Sequence, residues 1–105
     1  EPDIAHLHAH LNLAETARQA PPLSEIDARL TQQPDDLDAH YQRAAQLLAA
    51  DDFAGAMQAL LFIACTDRGY RHDIGRTSLL ALFDLLGSAH PLTQQYRRAL
   101  SESLH

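Results

Sequence analysis

The sequence predicts an all-α fold of about six helices, packed as antiparallel pairs into a short solenoid. Three observations carry this expectation. Val is absent and Ile occurs only at positions 4, 26, 63 and 74, while Ala and Leu dominate, a mixture that favours close-packed helices over sheet. Apolar residues recur at spacings of three and four, not two. Prolines at 21, 22, 34 and 91, with Gly87, cut the chain into segments of helical length. At 105 residues the chain forms one domain of a size that folds alone. It divides into a divergent first helix pair (1–34), a repeat-like unit (35–69) and a C-terminal helix pair (70–105).

The first helix is expected from about Asp3 to Gln19, with Ile4, Leu7, Leu11 and Ala14 as its apolar seam. Pro21 and Pro22 end it and open a short second helix with Leu23, Ile26 and Leu30 on one face. Pro34 breaks the chain again, and Asp35 or Asp36 supplies a cap for the third helix, Leu37 to Ala50. Asp51 and Asp52 make the next turn. The fourth helix follows from Phe53 to Thr66, and Gly69 offers a turn or a left-handed backbone. The fifth spans about His72 to Leu86 and stops at Gly87; its apolar set is Ile74, Leu79, Leu82, Phe83 and Leu86. Pro91 starts the sixth, with Leu92, Tyr96, Ala99 or Leu100, and Leu104 along its seam.

Residues 39–69 interleave slim and bulky side chains as two nested helices require. Against the 34-residue tetratricopeptide template, Ala39, Ala44 and Ala56 take the small positions, and Leu47, Phe53 and Leu60 the bulky ones. The expected architecture is therefore a TPR-like short solenoid. Units of this kind build scaffolds that grip other proteins.

From Asp35 onward the features also resemble a narrower family. QQPDDLDAHYQRAAQLLAADDFAGAMQALL leads to TDRGYRHDIGRTSLLALFDLLGSAHPLTQQYRRAL. The second stretch contains Asp67-Arg68, then Asp73 and Arg76, Leu79 to Phe83, Leu86-Gly87 and Tyr96-Arg97-Arg98-Ala99-Leu100. This order resembles the bacterial thioredoxin-like co-chaperones, or chaperedoxins, in which tetratricopeptide-type helices follow a thioredoxin-like domain. The resemblance implies a C-terminal region of a cytoplasmic protein that holds unfolded clients and passes them to folding chaperones, the chaperonin included. The chain departs from that family at Thr77, where Lys is usual, at Gly75, where Ala is usual, and in its polar terminus. The only methionine is Met57, so Glu1 is not an initiating residue and the chain reads as a piece of a longer protein.

Fourteen acidic residues against eight basic ones give a formal charge of −6, which argues against nucleic acid or an anionic membrane as partner. The expected partners are proteins. On the first helix of a repeat pair, which lines the inner surface, His40, Arg43, Gln46 and Leu47 are candidate contacts, joined by Leu7, His10 and Leu11; the leucines read equally as core. A carboxylate clamp is not expected in this unit, because Tyr41 and Ala45 stand where cations are needed. The family resemblance adds Tyr96, Arg97, Arg98 and Leu100 as partner-binding candidates. Asp67, Arg68, Asp73 and Arg76 form a structural charge cluster in which Asp73 and Arg76 can pair.

His6 and His10 share a helical face, a weak metal candidate with no third ligand at chelating spacing. No cofactor motif is present. Glycines 55, 69, 75 and 87 are scattered instead of forming a phosphate loop, and Cys65 reads as a small buried hydrophobe. Catalysis is not expected. Three functions remain: a client- or chaperone-binding module, an adaptor that assembles a fixed complex, and a His-based metal-binding protein.

Overall fold

The computed structural model describes residues 3–103, and every regular element in that range is helical. The helices are α1 (Asp3–Gln19), α2 (Leu23–Gln32), α3 (Leu37–Ala49), α4 (Phe53–Thr66), α5 (Ile74–Leu86) and α6 (Pro91–Ser103). Leu104, expected on the last seam, lies outside the described residues.

Local chemistry sets most of the boundaries. Asp36 caps α3 by accepting the Ala39 amide through Oδ1 (3.2 Å), while Arg29 Nε donates to its Oδ2 (2.7 Å). One side chain thus both starts a helix and ties it to α2. Asp51 takes a left-handed backbone (φ 63°) and Asp52 accepts the Gly55 amide at 2.9 Å, so the two aspartates do make the α3–α4 turn. Pro91 begins α6, where it forfeits no helical hydrogen bond. His90 Nδ1 accepts the Leu92 amide at 3.0 Å and serves as that helix's cap, a role the sequence reading did not assign.

The α4–α5 link departs from expectation. Gly69 does lie in a turn, one of its two expected roles, but it is not left-handed; its amide is held by Asp67 Oδ1 at 2.9 Å. Arg71, His72 and Asp73 carry positive φ instead (46°, 57° and 65°), which delays α5 to Ile74. Three consecutive non-glycine residues in that region cost on the order of 1 kcal/mol each.

The core sits among α3, α4 and α5, with α6 closing one side against α4 and α5. Tyr41, Leu60, Ile63, Leu79, Leu82 and Phe83 are essentially fully buried, each worth roughly 1.5–3 kcal/mol of transfer free energy. Ala39, Ala44 and Ala56 are fully buried too, at the slim positions that let backbones approach. At Gly75 the approach is closest: a Cβ there would lie 3.0 Å from the Ala64 amide nitrogen and 3.1 Å from the Leu60 carbonyl oxygen.

The first helix is the main correction. α1 and α2 hardly touch; α2 packs on α3, whereas α1 packs on α3 and α5. Its buried residues are Ala9 and Leu13, with Ala17 partly covered. Ile4, Leu7 and Leu11, the expected inward seam, remain 59, 55 and 56 % exposed. Two apolar stripes lie on opposite sides of this helix, and the slimmer one faces the protein. Cys65 is a second correction. It is exposed, because the buried face of α4 runs through Met57, Leu60, Ile63 and Ala64, and the next residue turns outward.

Candidate functional site

α3 and α5 are the first helices of successive pairs, and α1 packs against both of them. α1 lies antiparallel to α3. Its residues 10–14 lie beside 45–49, and residues 16–20 beside Tyr41 and Gln42. Gln46 Nε2 donates toward the carbonyls of Ala17, Ala20 and Pro21 at 3.1–3.3 Å, holding the end of α1. At the other end His6 Nδ1 stands 2.5 Å from Asp84 Oδ2 on α5, an ion pair when the imidazole is protonated. His10 lines the α1–α3 cleft. The paired histidines thus turn to separate tasks, and among the described residues no three His, Cys, Asp or Glu side chains converge as metal ligands.

His40 and Arg43 come together in a shallow hollow with Gln58, Ala59 and Phe62. The His40 ring stacks on Phe62 with centroids 4.1 Å apart, and its Nε2 donates to the Pro34 carbonyl at 2.7 Å. Arg43 Nε donates to Asp27 Oδ1 at 3.1 Å, binding α3 to α2. Both side chains are therefore held in place before any partner arrives. Leu47 does not join them. It is buried at the α3–α4 turn, near Gly55, and belongs to the core.

On α6 the four candidates split. Tyr96 and Leu100 are buried, which corrects their reading as contact surface. Tyr96 OH donates to the Ala54 carbonyl at 3.4 Å. Arg97 and Arg98 are exposed, and among the described residues neither forms an ion pair. The Arg97 guanidinium lies 5.4 Å from the Phe83 ring centroid, and Arg98 edges a hollow with Pro91, Gln94 and Gln95.

The charge cluster forms only in part. Asp73 Oδ2 and Arg76 meet at 3.9 Å, a loose pair, while Asp67 turns to the Gly69 amide and Arg68 faces solvent. A tighter cluster was missed. Tyr70 OH donates to Asp38 Oδ1 at 2.5 Å, Arg71 reaches the same oxygen at 3.4 Å, and its guanidinium lies over the Tyr41 and Tyr70 rings at 5.2 and 5.4 Å. Burial, and then the Asp38 carboxylate, push the Tyr70 phenol well above its ordinary pKa; burial raises that of Tyr41. The only sequence signal was an aromatic-basic pair, Tyr70-Arg71, beside an acid more than thirty positions away.

An all-helical scaffold of packed helices with hollows on its surface has the build of a protein-binding repeat module. Residues 16–105 match the tetratricopeptide repeat, and the chain belongs to that family, whose fold serves protein–protein interaction. No curated protein and no solved structure shows significant similarity to the chain. No helix among the described residues is long and apolar enough to cross a membrane.

Proposed function

We propose that this chain is the C-terminal protein-binding region of a bacterial, cytoplasmic, thioredoxin-like co-chaperone. It holds unfolded clients, docks to folding chaperones such as the chaperonin, and performs no catalysis itself. The observation that carries this reading is the resemblance over TDRGYRHDIGRTSLLALFDLLGSAHPLTQQYRRAL. Two surface features support it. The Ile4, Leu7 and Leu11 stripe gives an unfolded segment apolar area to rest on, with Leu85 a further large exposed apolar side chain. The exposed Arg97 and Arg98 offer a cationic edge to an acidic chaperone surface.

Light scattering from an aggregating client tests the holding function. Near-stoichiometric protein should suppress the signal, and Leu7→Ser/Leu11→Ser should lose most of that suppression while keeping its helix content. No suppression by the wild-type protein would favour an adaptor that assembles a fixed complex. That second reading is favoured by His40 and Arg43, whose side chains are already fixed by Phe62, Pro34 and Asp27. Binding of Arg97→Ala/Arg98→Ala to the chaperonin tests docking; unchanged affinity with an intact fold removes that part.

A further inference from the structure

Charge is spread over five of the six helices and missing from one. α1, α2, α3, α5 and α6 each carry at least two Asp, Glu or Arg residues, whereas the fourteen residues of α4 include none. One side of α4 is core, but the other is uncovered: Ala54, Gln58, Phe62, Cys65 and Thr66 are exposed. A helix that is apolar nearly all round ordinarily lies inside a structure, and contacts between proteins are likewise poor in charge at their centres. This face belongs to the second helix of its pair, away from α1, which packs on α3 and α5. Phe62 is its one aromatic. The His40 ring stacks on it with centroids 4.1 Å apart and is itself tied to the Pro34 carbonyl, so Phe62 is ordered before any contact forms and loses less freedom when covered.

The spacing on this face is self-complementary. Asp51, Gly55, Gln58, Phe62, Cys65 and Gly69 follow one another at intervals of four and three, the seam spacing of paired helices. Turned end for end about a two-fold axis level with residue 60, the seam falls on itself. Phe62 of one copy then meets Gln58 of the other, and Cys65 meets Gly55, which brings no side chain into its way. The charges at the ends agree with that direction. Asp51 and Asp52 precede α4, and Arg68, which forms no ion pair among the described residues, follows it. Asp67, at the same end as Arg68, is already engaged by the Gly69 amide. An antiparallel pair sets each acidic end level with the other copy's Arg68 and opposes the helix dipoles, whereas a parallel pair stacks like on like. From this spacing and charge we infer that α4 is a self-association surface, on which two copies of the chain pair through antiparallel α4 helices. Two chains of formal charge −6 repel at most approaches, and the uncharged face is where they can meet. A contact along one helix of about 21 Å falls short of the roughly 800 Å² per partner of a standard interface, so the pairing is micromolar or weaker. The inference goes beyond the proposed function, because it concerns copies of this chain and involves neither clients nor chaperones.

Sedimentation equilibrium of the whole chain from about 5 to about 500 μM should show reversible exchange between monomer and dimer. Phe62→Glu should weaken the dimer at least about tenfold by placing two charges in the seam. Gln58→Glu, at an exposed polar position, should also weaken it, and carries the comparison if Phe62→Glu loses helix content. Leu7→Ser/Leu11→Ser removes the other exposed apolar stripe and should leave the dimer unchanged. Mild oxidation reads the register directly. Ala54→Cys puts a thiol beside Cys65 of the second copy and should give a covalent dimer, which adding Cys65→Ser should abolish. Wild type should stay uncrosslinked, because in this register the two Cys65 residues stand about 15 Å apart along the axis, too far for a disulfide. A monomer throughout that concentration range overturns the inference. So does a dimer that survives both glutamate substitutions but not Leu7→Ser/Leu11→Ser, or wild-type cross-linking as efficient as that of Ala54→Cys.

Discussion

Thr93 and Ser78 place fully buried hydroxyls in the core, and neither finds a hydrogen-bond partner among the described residues. An unmade hydrogen bond in a dry site is a standing cost. Thr93→Val keeps the shape and removes the hydroxyl, so it should raise stability by about 1 kcal/mol in urea unfolding. A loss of stability would mean that the hydroxyl has a partner. Asp36 is the contrasting case. The Ala39 amide, and then the Arg29 guanidinium, hold its carboxyl below the usual carboxylate range. A depressed folded-state pKa gives stability that is present above the unfolded value of about 3.9 and is lost as the pH falls through the folded one. Asp36→Asn keeps the cap and abolishes the titration. It should be less stable than wild type by up to about 1 kcal/mol at neutral pH and equal to it in strong acid. A gap independent of pH would remove this account.

At the scale of the element, Gly75 decides how closely α5 lies on α4. Gly75→Ala gains about 1 kcal/mol of helix propensity but drives a methyl against the α4 backbone, where overpacking costs about 1–3 kcal/mol. Backbone yields less than a side chain, so a net loss of about 1 kcal/mol is expected from denaturant midpoints. A gain would show that the two helices separate freely. Legibility varied between elements for related reasons. α3 and α4 could be read because each has one apolar face, with Ala39, Ala44 and Ala56 spaced for contact. α1 could not, because Ile4, Leu7 and Leu11 outweigh Ala9, Leu13 and Ala17 in bulk, and bulk suggests the inside. Cys65 was misjudged by about 100° of helical rotation, one residue past Ala64.

For the molecule as a whole, helix number, order and approximate bounds followed from prolines, aspartates and periodicity, all of them local signals. What escaped was long-range. The Asp38–Tyr70–Arg71 cluster and the His6–Asp84 pair join segments whose separation leaves no periodic trace. Candidate contacts fared similarly. His40 and Arg43 do share a hollow, but Phe62, which completes it, comes from the next helix. Leu47, Tyr96 and Leu100 had the composition of a contact surface and the burial of a core. A stripe of leucines cannot by itself say which of two layers it serves.

The embrace between His6 and Asp84 joins residues near opposite ends of the chain. On the ribosome α1 is complete before α5 exists, so its seat stays unfinished until the fifth helix has been made. At 5–20 residues per second that interval is about 4 to 16 seconds. Throughout it the seat that finally buries Ala9 and Leu13 is incomplete.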